Sequence, residues 1–412
     1  MTGIAERLEE LDRLGLRRRL RLIEGPQGPS VLLDGREVLM LCSNNYLGLA
    51  EHPAVREAAA EAAMRWGAGA GASRLISGNM GPHEELERRL AEFKGREAAL
   101  LFGSGYLANN GVIAALAWRG EVVFSDELNH ASIIDGCRLS RAEVFVYRHA
   151  DPEHLAWGLR QAGERASLIV TDGVFSMDGD VAPLAELAAL ARSHRCRLMV
   201  DEAHATGAVG PGGRGSVAEA GLSGEVDVVV GTLGKALGSY GAYACSSAEV
   251  RELLVNEARP LIFSTALPPP SVAAALAALE VLRSEPGRVE RLRSNAALLR
   301  GALRAGGVEP GGGGTQIVPV IVGDAERTME LCEAVLEDGV FAQGIRPPTV
   351  PAGASRLRLT VTAAHRPAEL RRAAATIAAA AARLGIRPHA GPAAGPPAGS
   401  DPRSAADLAR AA

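Results

Sequence analysis

Lysine is nearly absent from this sequence: of 412 residues only Lys94 and Lys235 carry a primary amine, and the remaining basic residues are arginine. Chemistry that requires a side-chain amine therefore has two candidates. Cysteine is also sparse. Cys42, Cys137, Cys196, Cys245 and Cys332 are odd in number, scattered and without a CxxC pair. That excludes a disulfide framework and a structural zinc site, and leaves reduced, buried thiols in a reducing compartment. No excess of one charge exists, with a net of −4, so neither a nucleic-acid binder nor a polybasic membrane anchor is expected. No run approaches the roughly 18 apolar residues of a membrane span, and the alanine-rich AAATIAAAAARL is too short. The charged N-terminal stretch lacks the apolar region of a secretory signal. A cytoplasmic setting is expected.

The sequence is rich enough in hydrophobic residues, at 47%, to bury a sizeable core. Residues 4–20 are expected to form an amphipathic helix, with Ile4, Leu8, Leu11 and Leu14 at helical spacing. A short strand pair follows around an Asp34-Gly35 turn. From about 50 to 280, helical stretches alternate with short apolar runs: AALLF (98–102), EVVF (121–124), EVFVY (143–147), SLIVTD (167–172), RLMVD (197–201), VDVVVG (226–231) and YACSS (243–247). Apolar strands between helices predict an α/β fold, with a mostly parallel sheet covered on both faces and ligands at the strands' carboxyl ends. LPPPS (267–271) breaks the pattern. The expected organisation is an N-terminal segment (1–50), a large domain (51–280), a small α/β domain (281–385) and a disordered Pro/Ala/Gly-rich tail (386–412).

Lys235 lies in GTLGKALGSYG, just past an apolar strand and among glycines and apolar residues. Burial there lowers an amine's pKa and frees it as a nucleophile for a Schiff base, and the glycines let a flat ligand approach the backbone. Lys94, in EFKGRE at a helix end, is expected to be exposed and to serve only the helix dipole. Asp201 ends a strand in RLMVDEAHATG, where a carboxylate needs a cation. The protonated ring nitrogen of pyridoxal phosphate (PLP) is such a partner, and His204 can reach the ring hydroxyl.

DEAH also occurs in nucleotide-hydrolysing helicases, but that reading requires an upstream GxxxxGK[ST]. The single GK, Gly234-Lys235, lies downstream, with Val229 and Ala236 where glycine and Ser/Thr belong. LLFGSGYLANNG (100–111) runs a strand through a glycine turn into a helix start, suited to a phosphate. It also fits GxGxxA with Asp126 about twenty residues on, so a dinucleotide fold is a rival. That rival leaves Lys235, Asp201 and His204 unexplained. His130 follows a strand in DELNHASIIDG and suits stacking on a cofactor ring. Arg356 and Arg358 alternate with leucines on one strand, and an arginine there can grip a carboxylate as a bidentate fork.

Taken in order, SNNYLGL (43–49), GAGASRLISG (69–78), FGSGYLANN, NHASIIDG, TDGVFSMDGDVAPL (171–184), VDEAHATGAVGPGGRGS (200–216), GTLGKALGSYGA, IFSTALPP (262–269) and RPPTVPAGASRLRLTVTAAH (346–365) resemble the α-oxoamine synthase family of PLP enzymes. The resemblance implies a fold-type I PLP-dependent transferase, aspartate aminotransferase-like, working as a homodimer with active sites at the subunit interface. GDVAPL, FSTALPP and RPPTVPAG are most similar to the biotin-pathway branch, which condenses L-alanine with a pimeloyl thioester on CoA or acyl carrier protein (ACP). A sister enzyme such as glycine C-acetyltransferase is the alternative.

Position by position, the resemblance implies Lys235 as the Schiff-base lysine and proton carrier, Asp201 as the pyridinium partner, His204 near the ring hydroxyl and His130 as the stacking histidine. It further implies Ser176, Gly105, Tyr106 and Thr232 as cofactor contacts. Asn44 and Arg358 hold the amino-acid carboxylate. Thr349 is a substrate contact, and Arg17, with Arg18 and Arg19 as neighbouring alternatives, is an N-terminal substrate arginine. One departure is Ala205, where the family usually has glycine; little effect is expected.

Overall fold

The computed structural model describes residues 3–389. Its centre is a seven-stranded sheet in the spatial order Ala98–Phe102, Ala242–Ser246, Val228–Thr232, Arg197–Asp201, Ala166–Asp172, Val122–Asp126, Glu143–Tyr147. All neighbours are parallel except Ala242–Ser246, which runs antiparallel to both its partners. Successive side chains of these strands point to opposite faces. Leu101, Phe124, Ile169, Leu198, Val229 and Tyr243 enter one buried cluster, while Leu100, Val123, Leu168, Met199, Val230 and Ala244 enter another. Burial on both sides explains why these strands read as continuous apolar runs.

A second, three-stranded antiparallel sheet has Ser355–Thr360 between Ile317–Gly323 and Gln343–Ile345. The N-terminal strands Ser30–Leu33 and Arg36–Met40 form a hairpin, and the latter pairs in parallel with Val340–Phe341. Two further bonds stitch the chain after this hairpin to the end of the central strand: Thr360 N–H donates to the Leu41 carbonyl and Ala363 N–H to that of Tyr46, each at 2.7 Å. These bonds bring SNNYLGL to the strand bearing Arg358.

Three expectations change. The first helix spans Ile4–Arg13 rather than 4–20 and buries none of its residues, because Gly15 adopts a left-handed φ of 63° and the chain turns there. Order continues past 385: Ile386 is buried and His389 pairs with Ile321, since the apolar Ile386 has a core to enter. The remaining tail, 390–412, lies outside the described residues. Lys94 is buried instead of exposed. Its ammonium donates to Glu202 Oε2 (2.5 Å), Thr206 Oγ1 (2.8 Å) and the Arg214 carbonyl (2.8 Å). All five cysteines are free, and all but Cys42 are fully buried. Burial pushes the thiols of Cys137, Cys196 and Cys245 up to about 12. Among the described residues no helix is long and apolar enough to cross a membrane.

Candidate active site

The carboxyl ends of the parallel strands converge, as the α/β rule requires. Asp201 ends one strand and Asp172 its neighbour, paired in register. Thr232 ends the next strand, and Lys235 follows three residues later. Gly207, at φ 78°, packs so tightly under this turn that a Cβ would fall 2.5 Å from that of Ala236.

Lys235 Nζ lies 2.7 Å from His204 Nε2. Burial is the main force that lowers the lysine to about 8. The carboxylates of Asp201 and Asp172 pull against it, and Arg358 pushes with it. His204 is held well below its ordinary range by burial, then by the positive Lys235 and Arg358. A neutral imidazole therefore accepts at Nε2 from Lys235. Its Nδ1–H donates to Tyr46 Oη at 2.7 Å, and Tyr46 O–H donates to Asn44 Oδ1 at 3.0 Å. Gln316 Nε2 holds the His204 carbonyl at 2.8 Å.

Asp201 is buried and accepts from Asn109 Nδ2 at 2.6 Å and from Ala203 N–H at 2.8 Å. Both donors are neutral. Asp172 accepts the His130 backbone N–H at 2.8 Å, and its carboxyl is raised well above the usual range by burial and by the nearby Asp201. His130 caps the helix Ala131–Ser140.

The strand Ala98–Phe102 leads into the helix Gly105–Leu116, capped by Ser104, whose Oγ accepts from Leu107 N–H. The first helical amides, Gly105 and Tyr106, have no intrahelical acceptor. Thr232 stands beside them: a Cβ on Gly105 would lie 4.0 Å from its Cβ. Tyr106 is itself half-exposed and bonded to Asp135.

Arg358 is buried. Its Nε donates to the Ser176 carbonyl at 2.5 Å, and its terminal nitrogens approach Asn44 Oδ1 at 3.4 and 3.5 Å. Arg356 is spent elsewhere, in an ion pair with Asp178. Two substrate candidates stand apart from this set. The Arg17 carbonyl accepts from Arg346 at 2.9 Å, its guanidinium pairs with Asp12, and exposed Thr349 turns back onto the Arg346 carbonyl. Arg17 and Thr349 thus gather around Arg346, and no hydrogen bond among the described residues joins them to Lys235 or Asp201. Ala205 is buried with Val174 and Ile317.

Sequence reasoning passed over Tyr46, Asn109, Ser132 and Gln316. Tyr46, Asn109 and Ser132 lie inside SNNYLGL, FGSGYLANN and NHASIIDG, but those letters do not say what their side chains bond. Gln316 follows a glycine-rich loop, and no sequence signal marks it.

The residues fit PLP. Asp201 is a buried carboxylate whose bonding partners are neutral, so its charge suits a cationic ring nitrogen. The open amides of Gly105 and Tyr106, beside Thr232, suit a phosphate. Lys235, an amine lowered to about 8 by burial, follows Thr232 by three residues.

A family model described as aminotransferase class I and II matches residues 36–377. The chain is 55% identical over 387 residues to the 8-amino-7-oxononanoate synthase of Geobacter sulfurreducens, covering 93% of this chain and 99% of that one. It is 54% identical over 389 residues to the synthase of Anaeromyxobacter dehalogenans, covering 94% and 97%. Among solved structures, serine palmitoyltransferase from S. paucimobilis with a bound PLP–myriocin aldimine superposes with a TM-score of 0.87 at 36% identity, covering 93% of this chain and 98% of that one. The 8-amino-7-oxononanoate synthase of Francisella tularensis gives 0.74 at 27%, covering 85% and 99%. With its fold, its converging strand ends and relatives of this breadth, the chain belongs to the aminotransferase class I and II family and, within it, to the α-oxoamine synthases.

Proposed function

We propose that this chain is a cytoplasmic, PLP-dependent acyltransferase that condenses L-alanine with a pimeloyl thioester, on CoA or ACP, to give 8-amino-7-oxononanoate, CO2 and the free thiol. The observation that carries the reading is identity of 53–55% across 93–94% of the chain to relatives named 8-amino-7-oxononanoate synthase. When bound, PLP supplies an electron sink for the carbanion at the amino acid's α-carbon.

Lys235 would hold the cofactor and, as a free amine, move the α-proton at Nζ; an amine lowered to about 8 can both take and return it. Asp201 keeps the ring nitrogen cationic by a charge–charge contact in a buried site. His204 and Tyr46 carry polarity from Lys235 towards Asn44. Arg358 and Asn44 grip the alanine carboxylate, which sets the α-C–H bond for transfer. When the cofactor is bound, His130 would cover its ring and Ser176 would contact it. Gly105, Tyr106 and Thr232 hold the phosphate. Thr349 and Arg17, near Arg346, contact the acyl donor. We further propose that the small domain (281–385) brings Arg358 to the large domain (51–280).

A homodimer with shared active sites is part of the proposal. It is supported by exposed Met64, Ile76, Tyr240 and Phe263, large apolar side chains that a solitary chain leaves in water. Incubating the holoenzyme with pimeloyl-CoA or acetyl-CoA and, in parallel, alanine, glycine or serine, with mass detection of products, tests the reading. The alanine-derived amino ketone is expected to dominate. A dominant glycine product with acetyl-CoA would instead assign the sister activity.

A further inference from the structure

Asp201 and His130 are 71 residues apart, yet buried hydrogen bonds connect them through two side chains that the proposed mechanism does not use. Asn109 Nδ2 lies 2.6 Å from Asp201 Oδ2 and 2.8 Å from Ser132 Oγ. Ser132 Oγ lies 2.7 Å from His130 Nδ1, and the Ser132 backbone N–H adds a longer contact to the same nitrogen at 3.3 Å. Asn109 and Ser132 are each only 1% exposed, so water does not stand in for either.

The direction of each bond follows from what the groups can do. An ionised carboxylate only accepts, and an amide nitrogen only donates. Turning the Asn109 amide over would set its oxygen against Asp201, so both Nδ2 hydrogens are committed, one to Asp201 and one to Ser132. Asn109 Oδ1 is correspondingly left without a partner, although a buried amide oxygen normally has one. That orphan is the cost of holding the amide in this sense. Ser132 Oγ accepts from Asn109 and so has its own hydrogen free for His130 Nδ1, which must be bare to receive it. The neutral ring then carries its proton on Nε2.

We infer that Asn109 and Ser132 are positioning residues that transmit the charge of Asp201 to His130 and fix it as the Nε2–H tautomer. The inference rests on the reading above for the role of His130. Asp201 thereby sets the donor that His130, an exposed residue, presents to a substrate. An incoming acceptor oxygen, such as a thioester carbonyl, meets an N–H and not a lone pair. Ser132 has a second effect: its bond fixes the imidazole, while Asp172 accepts the backbone N–H of the same residue, so ring and main chain are anchored separately.

The test is ¹⁵N NMR of histidine-labelled holoenzyme, with His130→Gln assigning the signal. The parent is expected to show an unprotonated Nδ1 and a protonated Nε2. Ser132→Ala and Asn109→Leu are expected to populate the Nδ1–H form and to lower kcat/KM for the acyl thioester about tenfold, the loss of one hydrogen bond of ordinary strength. In Ser132→Ala, which leaves the Asn109–Asp201 bond in place, the absorbance of bound cofactor stays unchanged, and Ser132→Thr restores the parental signal. An Nδ1–H tautomer in the parent, or a tautomer indifferent to Ser132→Ala, overturns the inference. The parent measurement requires no turnover, so it stands apart from the product test of the proposed reaction.

Discussion

Replacing Lys94 by methionine is expected to cost this protein a large part of its stability, although the residue has no role in the proposed chemistry. The Lys94 side chain is 3% exposed and that of Glu202 0%. Burial pushes the ammonium down, but the adjacent Glu202 carboxylate overrides it and the lysine ends raised. Lys94 ends the helix Gly81–Lys94, while Glu202 follows Asp201 directly. Removing the cation leaves the carboxylate buried, held by Ser216 Oγ at 3.0 Å and Val217 N–H at 2.7 Å. Stranding one member of a buried pair typically costs about 3–5 kcal/mol, against roughly 0–1 kcal/mol for an exposed pair. The pairing of Lys94→Met with Glu202→Gln removes the stranded charge and is expected to recover a good part of the loss. Urea unfolding at fixed protein concentration, followed by circular dichroism across the four-member cycle, measures the coupling. A Lys94→Met protein within about 1 kcal/mol of the parent would refute the reasoning. Because Glu202 anchors the turn carrying Asp201 and His204, weaker cofactor retention is expected alongside the stability loss.

Other outcomes follow from the same structure. With Lys235 near 8, the rate at which apoenzyme takes up PLP should climb with pH and level off above about 8; a rise continuing to the ordinary lysine range near 10.5 would show that burial does not tune this amine. His149 sits between Asp126 (3.0 Å) and Asp180 (2.7 Å). Burial opposes its charge, but the two carboxylates prevail and raise it from 6.5 to about 10. Its folded value is the higher one, so its stabilising effect is complete below about 6.5 and is lost as pH climbs through about 10. The stability gap between parent and His149→Gln, followed by urea unfolding from pH 6 to 10 (about the span of the shift), should narrow; a constant gap would contradict the clamp. Arg358→Lys keeps the charge but loses the fork, and roughly 10- to 100-fold in kcat/KM for alanine is expected to go with it; an unchanged value would remove Arg358 from the carboxylate site.

The alternation of helices and apolar runs placed every strand of the main sheet, because strands buried on both faces carry an unbroken apolar signature. It did not reveal that Ala242–Ser246 runs antiparallel, since YACSS buries the same surface in either direction. Asp201, His204 and Lys235 were legible because strand ends and glycine turns mark them locally. Lys94 was misjudged for the opposite reason. Its neighbours in EFKGRE describe a helix end, while the partner that buries it lies 108 residues away. Asn109 and Ser132 went unassigned because their roles arise from a bond network that no local pattern encodes. Arg356 and Arg358 share a strand and a face, but contacts with Asp178 and with Asn44, distant in sequence, separate their duties.

The most direct test is chemical. Holoenzyme reduced with borohydride, digested and mapped by mass spectrometry should carry a single pyridoxyl group, on the peptide containing Lys235. A label on Lys94, the other lysine in the sequence, or no label on either, would contradict the account.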